Sequence, residues 1–208
     1  MSRKLMGGLC ILFGALLILA AAFLVLHNEA SQSAAENASM EVLELLEPMI
    51  ETTPTENSIV SPDLPAEIPD YQYNPDMPMP ITVIDGVEYI GTIEIPALEI
   101  KLPIISTSTI PNMQKAPCRY CGSAYQDNLV IGAHNYPAHF GRLKDLSYGD
   151  EIRIYDMDGN EFLYEIADIE ILQPNQLDYL IGTDWPLSLY TCTATGQTRL
   201  VVRCDKAK

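Results

Sequence analysis

Three residues suited to acyl-transfer chemistry stand at the ends of apolar, alternating runs. Cys192 closes LSLYTC, Arg199 opens RLVVRC, and His134 follows NLVIGA. A thiol at a strand rim can be partly exposed, as a nucleophile must be, whereas a buried thiol behaves as a small apolar residue. An imidazole beside it can take the thiol proton and return it to a leaving group. A guanidinium beside it can stabilise a thiolate and donate hydrogen bonds to a developing oxyanion. Each residue also has a plainer structural reading: an inert thiol, a hydrogen-bonded strand-end imidazole, a solvated cation. His139, in the PAHFGRL loop, is the reserve for His134. Arg203 competes with Arg199, since it shares the same strand parity and therefore the same face, but it lies four residues further from the turn.

Such a site needs strands that end together. If Thr193 to Thr198 forms a turn, Arg199 begins a strand antiparallel to the one ending in Cys192, and a third strand must deliver His134. Gly132 and Ala133, small residues before the histidine, leave room near its ring. From Ile81 onward the chain supplies the strands: VEYIGTIEIP, LEIKLPII, NLVIGAHN, DEIRIYD, EFLYEIADIEIL, LSLYTC and TRLVVRC. Turn residues bound most of them, and Asp158-Gly159 marks a hairpin. Seven or eight short strands with no long helical period make residues 81–208 an all-β domain, a closed barrel or a sandwich.

Before that domain the texture differs. Arg3 and Lys4 precede an uncharged run, Leu5 to Leu26, that is long enough to span a bilayer. Residues 1–27 are therefore a cytoplasmic tip and transmembrane signal-anchor. The flanking charges put the N-terminus in the cytoplasm and everything after His27 outside. Small residues after the span keep a cleaved signal as an alternative. Residues 28–80 are an acidic, Pro-rich extracellular stalk, with a short helix over 37–50 suggested by Met40, Leu43 and Leu46. The net charge of −16 is concentrated here. No Lys or Arg occurs between Leu5 and Ile100, against fifteen Asp and Glu, while residues 101–208 carry ten basic and thirteen acidic groups. That distribution excludes nucleic acid as a partner, since phosphate neutralisation needs clustered cations. Cys118 and Cys121 form a Cys-x-x-Cys pair without a second pair to complete a zinc site and without a βαβ context for redox work. Free thiols or a local disulfide are the readings preferred.

The nucleophile motif Ser188-Leu189-Tyr190-Thr191-Cys192, then Arg199, with Gly132-Ala133-His134 about sixty residues upstream, resembles that of the sortases, the Gram-positive cysteine transpeptidases. Serine replaces the family's first threonine, and the resemblance covers about Ile81 to Asp205. It implies a closed eight-stranded sortase barrel and a plasma-membrane enzyme facing outward. It further implies that Cys192 attacks an LPxTG-like sorting signal to form a thioester, that His134 moves the proton, and that Arg199 holds the oxyanion. In this family the working form is a thiolate–imidazolium pair whose titration is coupled. The partners implied are sorting-signal-bearing surface proteins, a peptidoglycan-precursor or pilin amine, and the membrane through residues 5–26. No cofactor is expected, and whether calcium activates the enzyme is not legible. The short QPNQLDYLIGTDWP segment argues against class B, and the absence of a C-terminal membrane helix against class C, which leaves a class A, D or E-like enzyme. Loop 177–185 is expected to wall the substrate groove with Leu180, Ile181 and Trp185, and Thr191 is expected to join them as a substrate contact. Two other functions remain compatible with these residues: a secreted cysteine peptidase that hydrolyses its acyl-enzyme, and a non-catalytic surface barrel module.

Overall fold

The computed structural model describes residues 3–51, 68–182 and 184–207. Two compact units, residues 1–34 and 35–208, share the first helix, α1 (Arg3–Glu51). In the first unit the large apolar side chains between Ile11 and Leu26 are exposed. Twenty-two uncharged residues at 1.5 Å each give about 33 Å of helix, which matches a hydrocarbon core of about 30 Å. By length and composition α1 can therefore cross a membrane.

The second unit is built on nine strands: β1 (Thr82–Ile84), β2 (Val87–Ile95), β3 (Ile100–Ile105), β4 (Cys118–Cys121), β5 (Leu129–Ala133), β6 (Glu151–Asp156), β7 (Glu161–Leu172), β8 (Leu187–Cys192) and β9 (Arg199–Lys206). Their order is β1-β2-β3-β4-β5-β8-β9-β7-β6, and β6 pairs back onto β2. The ring from β2 to β6 is thus a closed eight-stranded barrel, with β1 a hairpin appendage on β2. Closure removes the free sheet edges. Alternation fills the lumen with one face of each strand, including Ile93, Ile104, Ile131, Ile154, Tyr164, Leu189 and Val202. The expected Asp158-Gly159 hairpin joins β6 and β7, with Gly159 at φ 80°.

The stretch expected to be a stalk is in part a component of this unit. Residues 35–51 of α1 lie on the barrel, burying Leu46 completely against Tyr89, Ile105 and Met157, and Glu47 pairs with Lys101 at 2.7 Å. The helix is present, but the side that packs is Val42, Leu46 and Ile50, and Met40 of the expected spacing is half exposed. The seam leaves a cavity of about 230 Å³, lined by Glu47, Ile50, Thr92, Lys101 and Tyr155. Further along, Met79 joins the barrel core and the Tyr71 ring stacks on Tyr125 at 4.6 Å. Residues 52–67 of the expected stalk lie outside the described residues.

Candidate active site

β8 runs between β5 and β9, and its two registers bring the three candidates together. Along β5 the pairing is parallel and ends at Ala133 beside Thr191. The next residues, His134 and Cys192, follow side by side. Along β9 the pairing is antiparallel and places Cys192 directly opposite Arg199. His134 just after β5, Cys192 at the end of β8 and Arg199 at the start of β9 thus stand at the same end of three neighbouring strands, with Cys192 on the middle one. The turn that makes this possible is the expected one. The Thr193 amide donates to the Thr198 carbonyl at 3.0 Å, and the Gly196 amide donates to Thr193 at 2.8 Å. Asn135 Nδ2 donates to the Thr193 carbonyl at 3.4 Å, joining the histidine loop to the cysteine loop.

The state of each group fits its place. His134 is half-buried, and its enclosed Nε2 has no hydrogen-bond partner among the described residues. Burial lowers its pKa, so the resting ring is neutral imidazole and able to accept a proton. Arg199 directs Nη1 to the carbonyls of Gly196 and Thr198, at 3.2 and 3.1 Å. Its Nε and Nη2 have no protein partner among the described residues. Burial pushes the Cys118 thiol up to about 12 and raises Cys121 and Cys204 as well. Those three are therefore poor sources of thiolate, and all four described cysteines are free, with no disulfide between Cys118 and Cys121.

Several expected residues take other places. Thr191 faces away from the row, is 2% exposed, and donates its hydroxyl to the Ala133 carbonyl at 2.9 Å. It clasps β8 to β5. Gly132 makes room for Tyr190, not for the imidazole: a Cβ there would lie 2.3 Å from the tyrosine ring. Leu180 ends a 3-10 helix (Pro174–Leu180) and packs onto the outer face of the barrel with Val130, Leu172, Tyr190 and Val201. Ile181 is half-exposed and Trp185 half-buried on the same segment. His139 is fully buried and hydrogen bonded away from the thiol. Arg203 is 3% exposed and donates to Glu170 at 2.8 Å, Ser188 Oγ at 3.0 Å and the Tyr179 carbonyl at 3.0 Å. It ties the Pro174–Leu180 segment to β7 and β8, whereas Arg199 bonds within its own turn.

Sequence reasoning missed Tyr190 and Tyr120. They meet edge to face at 5.6 Å on the outer face of the barrel, Tyr190 on the same strand as Cys192. Tyr190 lies two residues before Cys192 and has the same parity, so an aromatic on the same face as the candidate thiol was a readable signal.

The barrel thus gathers a thiol, an imidazole and a guanidinium at one rim. A family model described as Sortase domain matches residues 93–207, more than half of the chain, and the chain belongs to the sortase family. Sortase A from Bacillus anthracis is 27% identical over 136 residues, covering 59% of this chain and 61% of its own length. The chain thus spans about six-tenths of that relative. The structure of a sortase D5 transpeptidase from Clostridium perfringens superposes with a TM-score of 0.53 at 24% identity, over 61% of this chain and 83% of that one. Sortase C1 from Streptococcus agalactiae gives 0.51 at 25% identity, over 57% and 69%.

Proposed function

We propose that the chain is a membrane-anchored cysteine transpeptidase that cleaves an LPxTG-like sorting signal and joins the released acyl group to a cell-wall or pilin amine. The observation that carries this reading is the row His134–Cys192–Arg199 at one barrel rim. His134 accepts the thiol proton as Sγ of Cys192 attacks the carbonyl after the motif's threonine. Arg199 swings its guanidinium from the turn carbonyls to the tetrahedral oxyanion. Collapse breaks the C–N bond, His134 returns the proton to the leaving amine, and a thioester remains. An incoming amine attacks that thioester, His134 takes its proton, and the thiolate of Cys192 leaves and is reprotonated.

The apolar helix, with Arg3 and Lys4 before it and acids after it, supports an anchor with its N-terminus in the cytoplasm and the barrel outside. The short 3-10 wall, without a long helical insertion, supports a class A, D or E-like enzyme. The test is mass analysis of products from a library of sorting-signal peptides with varied amines. Amide products that require both Cys192 and an amine support the reading. Hydrolysis alone under saturating amine points to a peptidase, and no acyl-enzyme with any peptide points to a non-catalytic module.

A further inference from the structure

The catalytic base is supported by an unusual route. Among the described residues no side chain hydrogen bonds to the His134 ring, although a base of this kind normally needs a partner to orient it. Its ring stacks instead on Tyr136, with centroids 5.1 Å apart and planes at 29°. On its other side Tyr136 meets the His139 ring at 5.7 Å and 47°. The loop that holds these rings is tightly coiled. Phe140 N–H donates to the His134 carbonyl at 3.3 Å, and the amides of His139 and Gly141 both donate to the Tyr136 carbonyl at 2.9 Å. A Cβ at Gly141 would lie 2.4 Å from the Asn135 carbonyl oxygen, so only glycine allows this closure.

The loop is pinned from outside the barrel. His139 is fully buried, and its Nε2 lies 3.2 Å from Oγ of Ser39, a residue of α1 one hundred positions away in sequence. The Ser39 hydroxyl donates its one hydrogen to the Lys115 carbonyl at 2.7 Å. Ser39 must therefore accept from His139, which puts the proton on Nε2 and leaves Nδ1 as the bare nitrogen. Nδ1 has no partner among the described residues. The helix that supplies Ser39 is independently seated by Leu46 and the Glu47–Lys101 pair. Loss of the Ser39 hydroxyl thus leaves the helix docked and removes its side-chain contact to the His139 ring, while the Ala35 and Lys115 carbonyls stay beside that ring.

We infer that α1 is part of the acyl-transfer apparatus, with Ser39, His139 and Tyr136 acting as positioning residues that hold the His134 ring toward Cys192. This inference rests on the reading of His134 as the base for Cys192. It makes the segment nearest the membrane span a determinant of turnover.

The test uses the full chain, reconstituted in detergent, with Ser39→Ala, Ser39→Thr and Tyr136→Leu. Cleavage of a sorting-signal peptide gives kcat and KM, alkylation of Cys192 by iodoacetamide gives a substrate-free measure of the thiol–imidazole pair, and thermal melts report folding. A positioned acid–base group contributes about 10²–10⁴-fold, so its partial misorientation should lower kcat about tenfold. Ser39→Ala and Tyr136→Leu are expected to show that loss with KM within about twofold, a slower alkylation, and an intact folding transition. Ser39→Thr keeps the hydroxyl and should restore kcat. The inference is overturned if Ser39→Ala matches the wild type in kcat and alkylation, if it changes melting alone, or if Ser39→Thr is as slow as Ser39→Ala. If the wild type cleaves no peptide, the transpeptidase reading fails, while the alkylation arm still reads the clasp.

Discussion

Arg199 and Arg203 share a strand and a face but differ in burial and partners, and this separates into two measurable channels. Arg203 is 3% exposed and spreads three donors over three elements: Nε to Glu170, Nη1 to Ser188 and Nη2 to the Tyr179 carbonyl. A lysine ammonium is a single point and cannot meet three diverging acceptors. Arg203→Lys therefore strands about two of them, at about 1–3 kcal/mol for each buried group left unsatisfied. Glu170 is one-third exposed and recovers some solvation, which places the total near 2–3 kcal/mol. For a domain of this size that is a fall in Tm of about 4–12 °C. Arg199 bonds only to its own turn, so Arg199→Lys should leave Tm within about a degree or two. It should lower kcat/KM by about 10²–10³, the cost of one oxyanion donor. Arg203→Lys, assayed below its melting transition, should stay within a few-fold of wild type. Circular-dichroism melts and peptide-cleavage kinetics on the same preparations give both channels. The reasoning is refuted if the two channels exchange, or if Arg199→Lys keeps wild-type kinetics while its melting temperature falls.

Cys192→Ala should abolish thioester formation, whereas Cys121→Ser and Cys204→Ala should retain most turnover; intact-mass analysis after peptide incubation reads this, and turnover surviving in Cys192→Ala removes it as the nucleophile. Leu46→Ala should cost about 2–4 kcal/mol, because Leu46 is fully buried against Tyr89 and Ile105; an unchanged denaturation midpoint would mean that residues 35–51 do not dock in solution. Burial, with the field of His134 added, holds His139 near pH 4 against an ordinary 6.5, partly opposed by the Ala35 and Lys115 carbonyls. The unfolded chain thus accepts a proton that the folded chain resists, so this contribution is complete above about pH 6.5 and is lost as pH falls toward 4, on the order of 3 kcal/mol in all. His139→Gln should flatten that acid limb in pH-dependent melts, and a limb identical to wild type would exclude His139 as its source.

What could be read before the structure, and what could not, follows from how far apart the interacting residues lie. Strands announce themselves by alternation and turn residues, which are local, so the barrel strands and the Cys192–Arg199 hairpin were legible. The pairing of β5 with β8 joins residues nearly sixty apart, and no local signal specifies it. The row was therefore an expectation that motif resemblance supported and spacing alone did not. Parity correctly put Arg199 and Arg203 on one face but could not divide their roles. That division depends on where the Pro174–Leu180 segment lies, because it covers Arg203 and leaves Arg199 at the rim. Residues 37–50 showed a helical stripe, and an acidic Pro-rich neighbourhood made a free stalk the natural reading. A stripe shows that a helix has an apolar side, not what lies against it. The same gap hid the clasp on His139. A lone serine on a helix and a lone histidine in a loop carry no mutual signal, and only the docking of the helix on the barrel brings them into contact.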